Sequence, residues 1–109
     1  MKEIKAYIKK HKLDVVIRAL RKIEGLTGMS VIDSCGYGIG WGGAKGEEQI
    51  DCRNGVKVEI ICRADLAEAV VAVIEKAAHT GLKGDGKIYV GNIEQAVRIS
   101  TGERGLRAV

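Results

Sequence analysis

The chain has no phenylalanine, one tryptophan and three tyrosines, so aromatic residues make up only 4% of it. Its core must therefore be built from Val, Ile, Leu and Ala. No apolar run is long enough to cross a bilayer. No leader segment is visible either, so the expectation is a cytoplasmic protein without direct membrane insertion. No Ser-His-Asp set, paired catalytic carboxylates or metal cluster can be read, which points away from an enzyme. No basic run is interleaved with aromatics, and a formal net charge of +4 alone does not support nucleic-acid binding. Cysteine is sparse and odd in number, three in all, which fits a reducing compartment.

What is present reads as one domain. A chain of 109 residues with 46% hydrophobic and 29% charged residues is globular in composition. A core of this size is thin, and oligomerisation is a common remedy. Residues 2–10 alternate, with Ile4, Ala6 and Ile8 on one face and Lys5, Tyr7 and Lys9 on the other, which predicts a half-buried strand. Leu13, Val16, Ile17, Leu20 and Ile23 form a helical stripe, punctuated by Gly25 and Gly28. A second strand is predicted from Met29 to Cys35 and a third from Val56 to Cys62. Asp65 and Glu68 have capping-box spacing before a helix whose buried stripe is Leu66, Val70, Val73, Ile74 and Ala77. A fourth strand runs from Lys87 to Asn92, and a short helix is predicted over Glu94–Val97. Two strand–helix–strand units predict an α+β, ferredoxin-like βαββαβ fold, a four-stranded antiparallel sheet with both helices on one face. The bare face, with Tyr7 and Ile61, needs a cover, and a symmetric oligomer would supply it.

Two glycine-rich stretches interrupt this pattern. Residues 36–46 hold six glycines in eleven positions, and 37–55 reads as one long functional loop. Trp41 lies in it as a partner anchor or as a ring folded back on the body, with Lys45, Glu47 and Glu48 as further partner-binding candidates. Cys35 and Cys52 bracket it. They read either as a disulfide or shared metal site at its base or as two unpaired small residues, and their spacing is no zinc pattern. Cys62 reads as strand core. The second stretch, Thr80 to Val90, sets three glycines around Lys83, Asp85 and Lys87. Glycine backbones can turn amide N–H groups toward an anion, and the lysines add charge, so this loop can cradle phosphate. The Walker spacing is missing. Lys2, Lys5, Lys9, Lys10 and Lys12 read as solvated edge charges, and His11 and His79 as solvated helix-end residues.

Four pieces together resemble the PII signal-transduction proteins over almost the whole chain. They are Met1 to Lys10 with Lys12-Leu13-Asp14, Thr27-Gly28-Met29-Ser30-Val31, Gly36-Tyr37-Gly38, and Thr80 to Val90 followed by Arg98 to Gly105. The resemblance implies a single PII-like domain over 1–109 that forms a homotrimer. It would carry a T-loop at about 37–55, a B-loop at about 80–87 and a C-terminal loop at about 100–109. It further implies that an adenine nucleotide (AMP, ADP or ATP) binds between subunits and sets the shape of the T-loop. That loop then docks on a client protein, often a membrane transporter or metabolic enzyme. Carried onto this chain, the nucleotide-binding residues are Ser30, Gly36, Tyr37, Gly38, Thr80, Gly84, Asp85, Gly86, Lys87 and Arg98. Lys83, Arg104 and Arg107 are further candidates for phosphate contact.

The chain departs from the family where outer phosphates and 2-oxoglutarate are held. Ile39 and Gly40 stand where an arginine and a glutamine are usual. Ser100 replaces the second late arginine, and Asn54 or Gly55 replaces the lysine that pairs with 2-oxoglutarate. Each lost charge-assisted contact removes roughly 1.5–3 kcal/mol, and two cost about a hundredfold or more in affinity. The expectation is AMP or ADP over ATP, with weak 2-oxoglutarate sensing. The segment carrying the uridylylated tyrosine, Tyr-Arg-Gly-Ala-Glu-Tyr, is missing, so that modification is not expected. The chain looks like a divergent branch, of a kind associated with transporters for bicarbonate or with metal efflux. Two alternatives are a metal- or redox-responsive module built on Cys35 and Cys52, and a slow nucleotide hydrolase.

Overall fold

The computed structural model describes residues 1–39 and 48–109. In chain order the elements are β1 (Lys2–Lys9), α1 (Leu13–Leu20), β2 (Ser30–Ile39), β3 (Glu48–Cys62), α2 (Ala67–Ala78) and β4 (Lys87–Asn92), with short 3-10 turns at Lys10–Lys12, Ala64–Leu66 and Gly105–Ala108. The strands form one sheet in the order β2-β3-β1-β4. Every neighbouring pair is antiparallel. This is the ferredoxin-like plan that the strand and helix periodicities predict.

The core is aliphatic, as the absence of phenylalanine requires. Ile4, Ala6 and Ile8 from β1 and Val56, Val58, Ile60 and Cys62 from β3 point to one face, where Val16 and Leu20 of α1 and Val70 and Ile74 of α2 cover them. Each fully buried side chain of this kind is worth about 1.5–3 kcal/mol relative to exposure. The alternate residues of β1 and β3 face away from the helices. There Tyr7 meets Tyr89 edge to face at 6.0 Å, and Lys57 pairs with Glu59 at 2.8 Å. Tyr7 and Tyr89 remain 38% and 53% exposed, so among the described residues no element covers this face.

Three details differ from the sequence reading. Strand pairing continues into the stretch read as a loop. Residues 37–39 belong to β2 and 48–55 to β3, and only 40–47 lie outside the described residues. No helix forms over 94–97. The chain there forms no regular element; the Ile93 N–H donates to the Met1 carbonyl at 3.1 Å, and Val97 bridges Arg104. The expected capping box is not made either. Asp65 lies inside the 3-10 turn, no side chain caps α2, and the Asp65 carboxylate accepts from Arg63 Nε at 3.2 Å.

Candidate functional site

After α2 the chain leaves its helical path at His79 and turns through residues 80–86 before entering β4. One carboxylate organises this turn. Asp85 Oδ2 accepts the Thr80 N–H at 2.8 Å and the Gly81 N–H at 3.1 Å, while Oδ1 accepts the Thr80 hydroxyl. The Thr80 oxygen in turn accepts the Leu82 N–H at 3.1 Å. Lys9 reaches in from the end of β1, with its Nζ 3.1 Å from Asp85 Oδ1 and 3.1 Å from Thr80 Oγ1. The Thr80 hydroxyl, the Thr80 amide, Lys9 and the Gly81 amide hold the Asp85 carboxyl well below the usual carboxylate range, against the opposing effect of burial. At the rim, His79 Nδ1 lies 3.7 Å from Asp85 Oδ2.

The glycines here are required by geometry. Gly86 has φ +99°, and a Cβ at that position would sit 1.6 Å from the Tyr7 carbonyl oxygen. Only glycine lets the turn lie against β1. Gly84, at φ +83°, also adopts a backbone conformation that favours glycine. Lys83 and Lys87 are exposed on this turn and at the start of β4, and Lys87 stands directly across from Tyr7.

Lys9 corrects the reading of it as a solvated edge charge. Its side chain is 18% exposed, against 56% for the neighbouring Lys10. No local pattern could have singled it out, because its hydrogen-bond partner Thr80 is 71 residues away.

Gly36, Tyr37 and Gly38 lie at the same end of the sheet but on the other edge strand. There β1 stops at Lys9 opposite Gly55, and Gly55 pairs with Ser34. Past that row β2 and β3 continue as a two-stranded ribbon, pairing Gly36 with Asp51, Tyr37 with Ile50 and Gly38 with Gln49. Cys35 and Cys52 form a disulfide at its root, with Cα atoms 4.0 Å apart. The pair is thus linked in this structure, and neither sulfur is available as a thiolate metal ligand. Among the described residues, no three His, Cys, Asp or Glu side chains are placed to hold a metal ion together. Asp51 accepts the Arg53 N–H at 2.9 Å and the Asn54 N–H at 3.1 Å. These bonds hold the Asp51 carboxyl below its ordinary value. Trp41, Lys45 and Glu47 lie outside the described residues, and Glu48 is described as the first backbone position of β3.

Ser30 and the chain end come together elsewhere. Thr27, Met29, Ser30 and Glu59 line a shallow depression with Ala96 and Val109. Close to it in the chain, Arg98 closes a small hairpin. Its N–H donates to the Glu103 carbonyl at 2.8 Å, and its Nε lies 3.9 Å from the Glu103 carboxylate. Arg104 pairs with Val97, and Arg107 sits in the last 3-10 turn. Ser30 opposes Glu59, whose row continues through Lys5 to Tyr89 on β4. Ser30 is therefore about 14 Å from β4, three inter-strand spacings away. One chain presents two separated groups of candidate residues, a glycine turn rich in cations and a depression near the chain end.

Comparison with known proteins agrees over nearly the full length. The family model described as Nitrogen regulatory protein P-II matches residues 1–103. A Nitrogen regulatory protein P-II from Bradyrhizobium diazoefficiens is 48% identical over 113 aligned positions covering all of both chains. Its counterpart from Rhizobium meliloti is 44% identical with the same coverage. Among solved structures, Arabidopsis thaliana PII bound to citrate superimposes with a TM-score of 0.77 at 33% identity, covering 99% of this chain and 91% of that one.

Proposed function

The chain belongs to the Nitrogen regulatory protein P-II family, and from that premise we propose that it senses adenine nucleotides and signals their identity to a client protein. Proteins of this family are homotrimeric signal-transduction regulators that bind small effectors and target proteins. The reading for this chain is a single PII-like domain that holds AMP or ADP in preference to ATP. The phosphates lie on the B-loop of one subunit, and the adenine end lies against Ser30 and the chain end of a neighbour.

The observation that carries this reading is the pre-shaped turn at 80–86. Asp85 and Lys9 neutralise each other inside it and set its backbone, while Lys83 and Lys87 remain exposed beside it. A turn ordered before the ligand arrives spends little binding free energy on ordering. The separation of the two residue groups within one chain fits a site completed between chains, and the uncovered face with Tyr7 and Tyr89 fits a subunit contact. The citrate bound to the Arabidopsis relative is also a small polyanion, the ligand chemistry this turn suits.

Nucleotide identity would be read by the ribbon. Ligand-dependent contacts at Gly36–Gly38 bias its conformations, and a client, with a membrane transporter among the candidates, would bind one of them. Ile39, Gly40 and Ser100 supply no charge for an outer phosphate. Calorimetric titration with AMP, ADP and magnesium–ATP, with and without 2-oxoglutarate, tests the preference. ADP or AMP should bind at least tenfold more tightly than ATP. Tight magnesium–ATP binding that improves with 2-oxoglutarate would refute it.

A further inference from the structure

The root of the β2–β3 ribbon holds a feature that nucleotide binding does not use. Between the Ser34–Gly55 and Gly36–Asp51 pairs, one residue of β2 faces residues 52–54 of β3, so the hydrogen-bond ladder is interrupted there. At that same row β1 ends and the sheet narrows from several strands to two. A two-stranded ribbon is marginal in water. Backbone pairing is therefore weakest at the row where the ribbon must be held, and the Cys35–Cys52 disulfide spans that row. Both cysteines are exposed, whereas Cys62 is 2% exposed in the core, where burial pushes its thiol up.

We propose that Cys35–Cys52 is a reversible thiol–disulfide modification site, served by a low-molecular-weight disulfide and its thiol, and that its state sets the order of the ribbon 36–39 and 48–51. In the oxidising direction, the thiolate of one cysteine attacks the small disulfide RSSR. An S–S bond forms, the RS–SR bond breaks, and RS⁻ leaves to take up the displaced proton. The second cysteine, as thiolate, attacks the mixed disulfide at the first cysteine's sulfur and expels the second RS⁻. Two protein thiols and one RSSR become one protein disulfide and two RSH. Reduction is the reverse, driven by excess thiol. Cys62 takes no part, because a buried thiol is neither ionised nor reachable.

This inference stands without the nucleotide reading, and its test contains no nucleotide. The full chain is equilibrated over a series of reduced-to-oxidised glutathione ratios and read by mass spectrometry after alkylation. Amide hydrogen exchange is then measured on the fully oxidised and fully reduced forms and on Cys35→Ser. The linked peptide should form and disappear reversibly across the series, with Cys62 unlabelled throughout. Exchange at Tyr37, Gly38 and Ile50 should be at least tenfold faster in the reduced form and in Cys35→Ser, while Ile4 and Val58 in the core stay unchanged. The proposal is overturned if no linked peptide forms at any ratio, or if ribbon amides exchange within twofold of each other in the two forms.

Discussion

The turn at 80–86 and the ribbon at 36–39 and 48–51 leave the same end of the sheet, yet they are held in different ways. The turn is fixed from within by a carboxylate accepting two amides and a hydroxyl, by a lysine from β1, and by a glycine pressed against the Tyr7 carbonyl. Its shape rests on contacts within the chain itself. The ribbon has one ladder, a gap in that ladder and a covalent link across the gap. On the proposal above, its order changes when that link is reduced. The proposed sensing role needs both kinds of element: a grip whose geometry is constant and an arm whose geometry can change.

Substitutions can break this contrast. The largest effect is expected for Gly86→Ala. The new methyl would collide with the Tyr7 carbonyl, so the turn must detach from β1. ADP affinity should fall more than a hundredfold, with a lower thermal midpoint; calorimetry and a melting curve check both. Next comes Lys87→Ala, which would remove the charge-assisted phosphate contact proposed for Lys87, of a kind worth roughly 1.5–3 kcal/mol. Affinity should drop about tenfold to a hundredfold with the melting temperature unchanged, because the exposed Lys87 side chain is outside the core.

Asp85 sharpens the comparison through pH. Its carboxyl is held below its unfolded value, so its stabilising contribution is complete above about pH 4 and is lost as pH falls through the lower folded value. Asp85→Asn should be less stable than wild type at pH 7, and the gap should shrink on acidification. Urea melts between pH 7 and pH 2 measure it, and a gap independent of pH would reject the hub role. The smallest effect is expected for Lys9→Met, which keeps the aliphatic stem but removes the clamp. A few-fold loss of ADP affinity is expected, with faster amide exchange at Thr80 and Gly81 marking the loosened turn.

Much of the architecture was legible in the sequence because it rests on short-range periodicity. The alternation in 2–10 and 56–62 and the stripes Val16–Leu20 and Val70–Ile74 place the core where it is found, and β4 has the predicted bounds. What could not be read depends on partners distant in the chain. Glycine has little strand preference, so the strand through Gly36 and Gly38 exists because β3 lies beside it. Residues 94–97 form no helix, and the backbone around them pairs instead with Met1 and with the segment at Arg104 and Gly105. Lys9 looked like any surface lysine until the fold brought Thr80 and Asp85 to it. The turn at 80–86 was the most readable site feature, since its glycines, lysines and aspartate are contiguous. Ser30 and Arg98 became candidates through family resemblance, and their place on the fold is a structural result.

The most direct test of the central claim is residue-resolved. On titrating ADP into the isotope-labelled protein, backbone amide resonances of Gly84, Gly86 and Lys87 should shift in a saturable way, with Ser30 and Arg98 moving at the same midpoint. Unmoved resonances in the turn at saturating ADP, or shifts confined to other parts of the chain, would contradict the account.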